Sequence, residues 1–126
     1  MNTLLWVLQG LLGVYFVGVG VSHFMVPPNL PAMMSWMYEL SPTLHAVSGT
    51  AEILGGLGLI LPGLTKIQTR LTPLAAGGLA LTMVGALSWH LTRGEVMNIF
   101  FNIVLFALTA FIAYGRLRLS PLADRE

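Results

Sequence analysis

Cysteine is missing from this chain altogether, and charge is nearly so: five acidic and six basic side chains serve 126 residues, and none precedes Glu39. The first absence excludes disulfide exchange, thiolate metal sites and cysteine nucleophiles, so any redox role needs a cofactor or a partner. The second excludes an ordinary soluble surface, of which charged residues make up roughly a quarter. The few basic residues fall between apolar runs rather than on one face, which argues against a nucleic-acid partner. What remains is hydrocarbon: 56% of the residues are hydrophobic, as in an integral membrane protein whose main partner is the lipid bilayer.

Four apolar runs are legible, at about residues 4–26, 44–61, 71–91 and 96–114, each near the ~20 residues that a spanning helix needs. They are continuous rather than alternating, so the expected fold is all-α: a polytopic membrane four-helix bundle formed as a single four-span domain. The first run has no basic flank and no small-residue cleavage site, and reads as a retained helix rather than a signal peptide. Pro27, Pro28, Pro31 and Pro42 bracket the first connection, Pro62-Gly63 is expected to end the second span, and Arg93-Gly94-Glu95 makes the third connection. Lys66, Arg70, Arg116, Arg118 and Arg125 lie in the second connection and the tail, which places both termini in the cytoplasm.

The first connection is short but apolar, with Met33, Met34, Trp36, Met37 and Tyr38, and is expected to lie in the outer interface as a lid. Thioethers are soft ligands that also suit Cu(I), but methionine is equally a general gap-filler. Small residues crowd the second and third spans, where Ala51 with Gly55 and Ala76 with Ala80 have the spacing of close helix contacts. Gly10, Gly13, Gly18 and Gly20 read the same way in the first span.

One residue stands out against this background. Glu52 is the only carboxylate in the second span, and an acid near the bilayer centre costs about 2.5–3.5 kcal/mol on insertion scales, so it is expected to face a protein interior and a polar partner. His23 ends the first span, His45 begins the second and His90 ends the third, all toward the outer face. His45 and Glu52 are two turns apart and share a helix face, as do Asn98 and Asn102 on the fourth span. The inner half of each span looks nearly bare of polar groups.

The expected catalytic group is therefore Glu52 with His90 and His23, and the expected ligand-binding residues are Asn102, His45, Asn98, Arg93 and Trp36. Bland alternatives stand beside these: solvated interfacial histidines, a helix cap at Asn98, a structural hydrogen bond at Asn102. The histidines lack H-x-x-x-H, H-E-x-x-H or C-x-x-C-H spacing, so no metal is expected. A carboxyl beside imidazoles suits proton exchange with a lipophilic ligand such as a quinone, which takes up protons with electrons.

The segment Gly49-Thr50-Ala51-Glu52-Ile53-Leu54-Gly55-Gly56, continuing to Pro62-Gly63, resembles the signature of the DoxX-like family of small four-helix membrane proteins. Ser22-His23-Phe24 before a proline loop, Leu71-Thr72-Pro73 opening the third span, and His90 before a polar turn are similar to that family's layout. The resemblance implies a bacterial inner-membrane location and an association with redox processes, since relatives include subunits of thiosulfate:quinone oxidoreductase. It carries the motif glutamate over to Glu52. Three functions are compatible with these features: a redox-associated protein binding a quinone-like molecule in an outward pocket, a non-catalytic scaffold subunit for a redox partner protein, and a proton-coupled transporter. A homo-oligomer fits each of them.

Overall fold

A computed structural model describes all of residues 1–126. It is helical throughout, with no strand: α1 spans Asn2–Phe24, a 3₁₀ helix Ala32–Tyr38, α2 Pro42–Thr65, α3 Leu71–Arg93 and α4 Val96–Tyr114, which runs on as a wider π turn over Gly115–Leu119. Four of these helices are long and apolar enough to cross a membrane. Their outward faces carry exposed Leu11, Val14, Leu54, Leu81 and Phe100, while Leu5, Leu12, Phe16, Leu59, Leu79, Met83, Leu105 and Ile112 form the interior. A surface as apolar as its core is a surface for lipid.

The helix ends follow local chemistry. Ser41 caps α2 by accepting from Leu44 N at 3.2 Å, with Pro42 in the first helical position, where its missing N–H costs nothing. Gly94 closes α3 in the left-handed region, φ 67°, a conformation that glycine adopts without a Cβ clash.

Contrary to expectation, Pro62-Gly63 does not end α2, which continues to Thr65 with Pro62 inside it. Proline cannot donate to the carbonyl four residues back, and an orphaned carbonyl in lipid is costly. Thr72 on α3 supplies the missing bond: its Oγ1 donates to Gly58 O at 3.0 Å. Gln9 on α1 serves the next carbonyl, Nε2 donating to Leu59 O at 2.6 Å.

Close packing follows the small-residue spacing in part: Gly13, Gly20 and Gly55 lie at tight contacts and Ala76 and Ala80 are buried. α1 and α2 touch backbone to backbone at two levels, where a Cβ on Gly20 would stand 2.8 Å from Gly49 O and one on Gly56 2.7 Å from Gly13 O. Gly10 and Gly18 face open space. α2 and α3 meet where Gly58 lies against Ala75 and Gly55 against Leu79, whereas Ala51 lines a cavity instead of a helix contact.

The end that carries both termini is not bare of polar groups either. Arg116, 3% exposed, donates from Nε to Gln9 Oε1 at 2.6 Å and from Nη1 to Asn2 Oδ1 and Ser120 O, both at 2.8 Å. Its guanidinium also lies over the Trp6 ring, 5.6 Å from the centroid. Behind it the tail is clasped to the α2–α3 connection, with Thr69 N and Oγ1 both donating to Asp124 Oδ1, at 2.8 and 2.6 Å.

Candidate functional site

The opposite end, which holds the α1–α2 and α3–α4 connections, sets His23 against Glu52, His45 behind His23, and His90 on the same cavity walls as Glu52. His23 Nε2 lies 3.4 Å from Glu52 Oε1, an ion-pair separation rather than a hydrogen bond. His23 Nδ1 and His45 Nδ1 are bonded at 2.9 Å, and His45 Nε2 bonds Met37 O at 2.8 Å. Glu52 is 5% exposed and His23 4%, and Glu52 Oε2 and His23 Nε2 have no hydrogen-bond partner.

These contacts restrict where hydrogens can sit. A carbonyl only accepts, so His45 Nε2 carries hydrogen. If His45 is neutral, its Nδ1 accepts from His23 Nδ1–H, and the lone pair of a neutral His23 Nε2 then faces the carboxyl. Two bare acceptors facing each other in a buried site are unfavourable, which favours a proton carried by either Glu52 or His23. If instead His45 is the imidazolium, it donates to His23 Nδ1, whose Nε2–H faces a carboxylate. Either arrangement lets Glu52, His23 and His45 share one proton with no net charge, the state that burial in hydrocarbon favours.

Two cavities meet at Glu52. The larger, about 300 Å³, lies between α2 and α3 beneath the 3₁₀ helix and is lined by Ser48, Ala51, Thr82, Gly85 and Trp89 together with His23. The smaller, about 180 Å³, lies among α1, α3 and α4 and is lined by Tyr15, Met33, Met83, Asn98 and Asn102. Trp36, Glu52, Ala86 and His90 border both, so they form the partition. Trp36 packs edge-on against His90, ring centroids 5.4 Å apart.

His90 Nδ1 is bonded to Glu95 Oε1 at 2.9 Å, and Arg93 Nε lies 3.5 Å from the same oxygen. A carboxylate beside a guanidinium accepts, so His90 Nδ1 donates, and a neutral His90 then has its lone pair at Nε2. Arg93 lines neither cavity; it pairs with Glu39 of the 3₁₀ segment and covers the Trp89 ring at 5.2 Å. Asn98 caps no helix but donates to Met33 O at 3.0 Å. Asn102 does not reach the Glu52 carboxyl; its Nδ2 lies 3.7 Å from Met83 Sδ. The structure thus brings His23, Trp36, Glu52, His90, Asn98 and Asn102 around the two cavities, with His45 directly behind His23, and leaves Arg93 on the rim.

Tyr15, Thr82, Gly85 and Trp89 are lining residues that sequence reasoning passed over. The glycines and threonine of α3 have the same spacing as packing residues, and only the separation of α2 from α3 shows which of them face a void. Trp89 carried a usable signal, being next to His90 on the span end already singled out.

The chain matches the DoxX-like family over residues 7–112 and belongs to it. This match, with four apolar helices, makes it a multi-pass membrane protein. No curated protein and no solved structure matches the chain.

Proposed function

We propose that the protein lies in a bacterial cytoplasmic membrane with both termini in the cytoplasm, binds a small lipophilic molecule of the quinone class in the larger cavity, and exchanges a proton with it through Glu52. The observation that supports this is the contact of the buried Glu52 carboxyl with His23, itself bonded to His45, at the floor of a cavity with largely apolar walls. A quinone takes one proton on each oxygen with two electrons, and a carboxyl that holds a shared proton in a water-poor site is suited to give or take one of them. His23 passes the proton, His45 bonds the far nitrogen of the His23 ring, and the His90 Nε2 lone pair accepts from a hydroxyl of the reduced, quinol form of the ligand. Electrons come from a redox partner protein in or beside the membrane, since this chain holds no thiol.

Mass spectrometry of lipophilic material retained by the purified protein is the test. Wild type is expected to carry a quinone-class molecule and Glu52→Gln to lose it while remaining helical. Equal retention by both, or none by either, would overturn the assignment.

A scaffold role draws on exposed Phe24, Met25, Met33 and Tyr38 at the loop end. It differs in outcome, because Glu52→Gln would then lower stability or partner recovery with no small molecule in either protein. The transporter reading has polar groups at both ends, yet Leu12, Phe16, Leu59 and Leu79 fill the interior between them.

A further inference from the structure

The walls of the larger cavity differ between its roof and its flanks. Its roof is the segment that bears Trp36 and Leu40, tied down by His45 Nε2 to Met37 O at 2.8 Å, by Asn98 to Met33 O at 3.0 Å, and by the Glu39–Arg93 ion pair. Its flanks are different. On α2 the lining includes Leu44 and Val47, both exposed on the outside of the bundle, and on α3 it includes Gly85, also exposed. A Cβ on Gly85 would meet nothing within 4 Å, and the same holds at Gly78, two turns away on the same face. Toward the terminal end the two helices close on each other, where Gly58 meets Ala75 and Thr72 bonds Gly58 O.

Resting on the ligand-binding role proposed above, we infer that the ligand reaches this cavity sideways from the hydrocarbon, through the cleft between the loop-end halves of α2 and α3, and that Gly85 sets the width of that opening. The buried, unpartnered Glu52 Oε2 at the inner end of the cleft marks where its polar head goes. The ligand class that fits is an amphiphile with a hydrogen-bonding ring as head and a hydrocarbon chain that stays in the bilayer along Gly85 and Gly78. A water-soluble molecule has no comparable route, because the roof is held at three points.

The full-length protein in lipid nanodiscs, mixed with decylubiquinone and followed by quenching of tryptophan emission, tests this, since Trp36 and Trp89 line the cavity. Gly85→Leu puts a side chain at the mouth from a position where a Cβ meets nothing within 4 Å, and association is expected to slow about tenfold, the factor that about 1.4 kcal/mol added to a barrier gives. Gly18→Leu, at an equally open position on α1 away from the cavities, should behave as wild type. Glu39→Ala frees the roof from Arg93 and should leave the rate unchanged. If wild type is quenched and Gly85→Leu associates as fast, or if Glu39→Ala accelerates association, the sideways route is wrong while quinone binding stands. If wild type shows no quenching, both the route and the quinone-class assignment fall.

Discussion

Gln9 and Arg116, 107 positions apart in the chain, are joined by a 2.6 Å bond from Nε to Oε1 inside the protein. Gln9 then donates to Leu59 O, so one amide links α1, α2 and the end of α4. Hydrogen bonds to a charged group contribute about 1.5–3 kcal/mol, and removing one partner strands the other. Gln9→Leu should destabilise the protein by at least that much in a detergent-unfolding titration. Arg116→Lys should not restore it, because an ammonium cannot reproduce the forked contacts to Gln9, Asn2 and Ser120. A neutral result for Gln9→Leu would show that this link contributes nothing.

Thr72 offers a cleaner experiment. Thr72→Ala leaves Gly58 O without a donor and should cost about 1–3 kcal/mol. Pro62→Ala returns a backbone N–H to the same carbonyl, so the pair Pro62→Ala, Thr72→Ala should lose less than Thr72→Ala alone. Strict additivity in the double-mutant cycle would mean that the hydroxyl does not serve this carbonyl.

Two glycines on one helix should respond oppositely to alanine. Gly20→Ala forces a methyl to 2.8 Å from Gly49 O, where backbone must move, at a cost of about 1–3 kcal/mol or more. Gly18→Ala meets nothing and should be neutral or stabilising by roughly 0.5–1 kcal/mol, the usual gain of replacing a helical glycine. Melting temperatures in one detergent compare them directly.

The tail clasp titrates. The Thr69 hydroxyl, then the Thr69 amide, hold the Asp124 carboxyl below its ordinary value of 3.8. A depressed carboxyl stabilises the clasp above the unfolded value and ceases to do so as pH falls through the folded one. Hydrogen-exchange protection of the Thr69 amide, normalised for intrinsic rate, is therefore expected to hold from neutral pH down to the ordinary carboxylate range and drop below it. Asp124→Asn should remove that step; a variant that keeps it would assign the titration to another group.

The four helices were legible because hydrocarbon demands long uninterrupted apolar runs, and Glu52 was legible because nothing apolar explains it. Hydropathy does not report which carbonyl a threonine reaches, so α2 looked finished at Pro62 when Thr72 and Gln9 carry it onward. Arg116 looked like a loop charge because it follows the last apolar run, and Gln9, the sole amide within the first span, was the overlooked sign that it had a buried partner. The meeting of His23, Glu52 and His90 depended on three helix ends lying at one level, which span lengths alone indicated. That Arg93 turns to the rim depended on Glu39 and Glu95, whose positions only the fold supplies.

The bond from Thr72 to Gly58 lies near one end of a long helix pair, and the ligand chamber lies near the other. The pair is therefore pinned at one end and spread at the other: Gly58 meets Ala75 where the bond lies, while Ala51 and Gly85 face each other across a void.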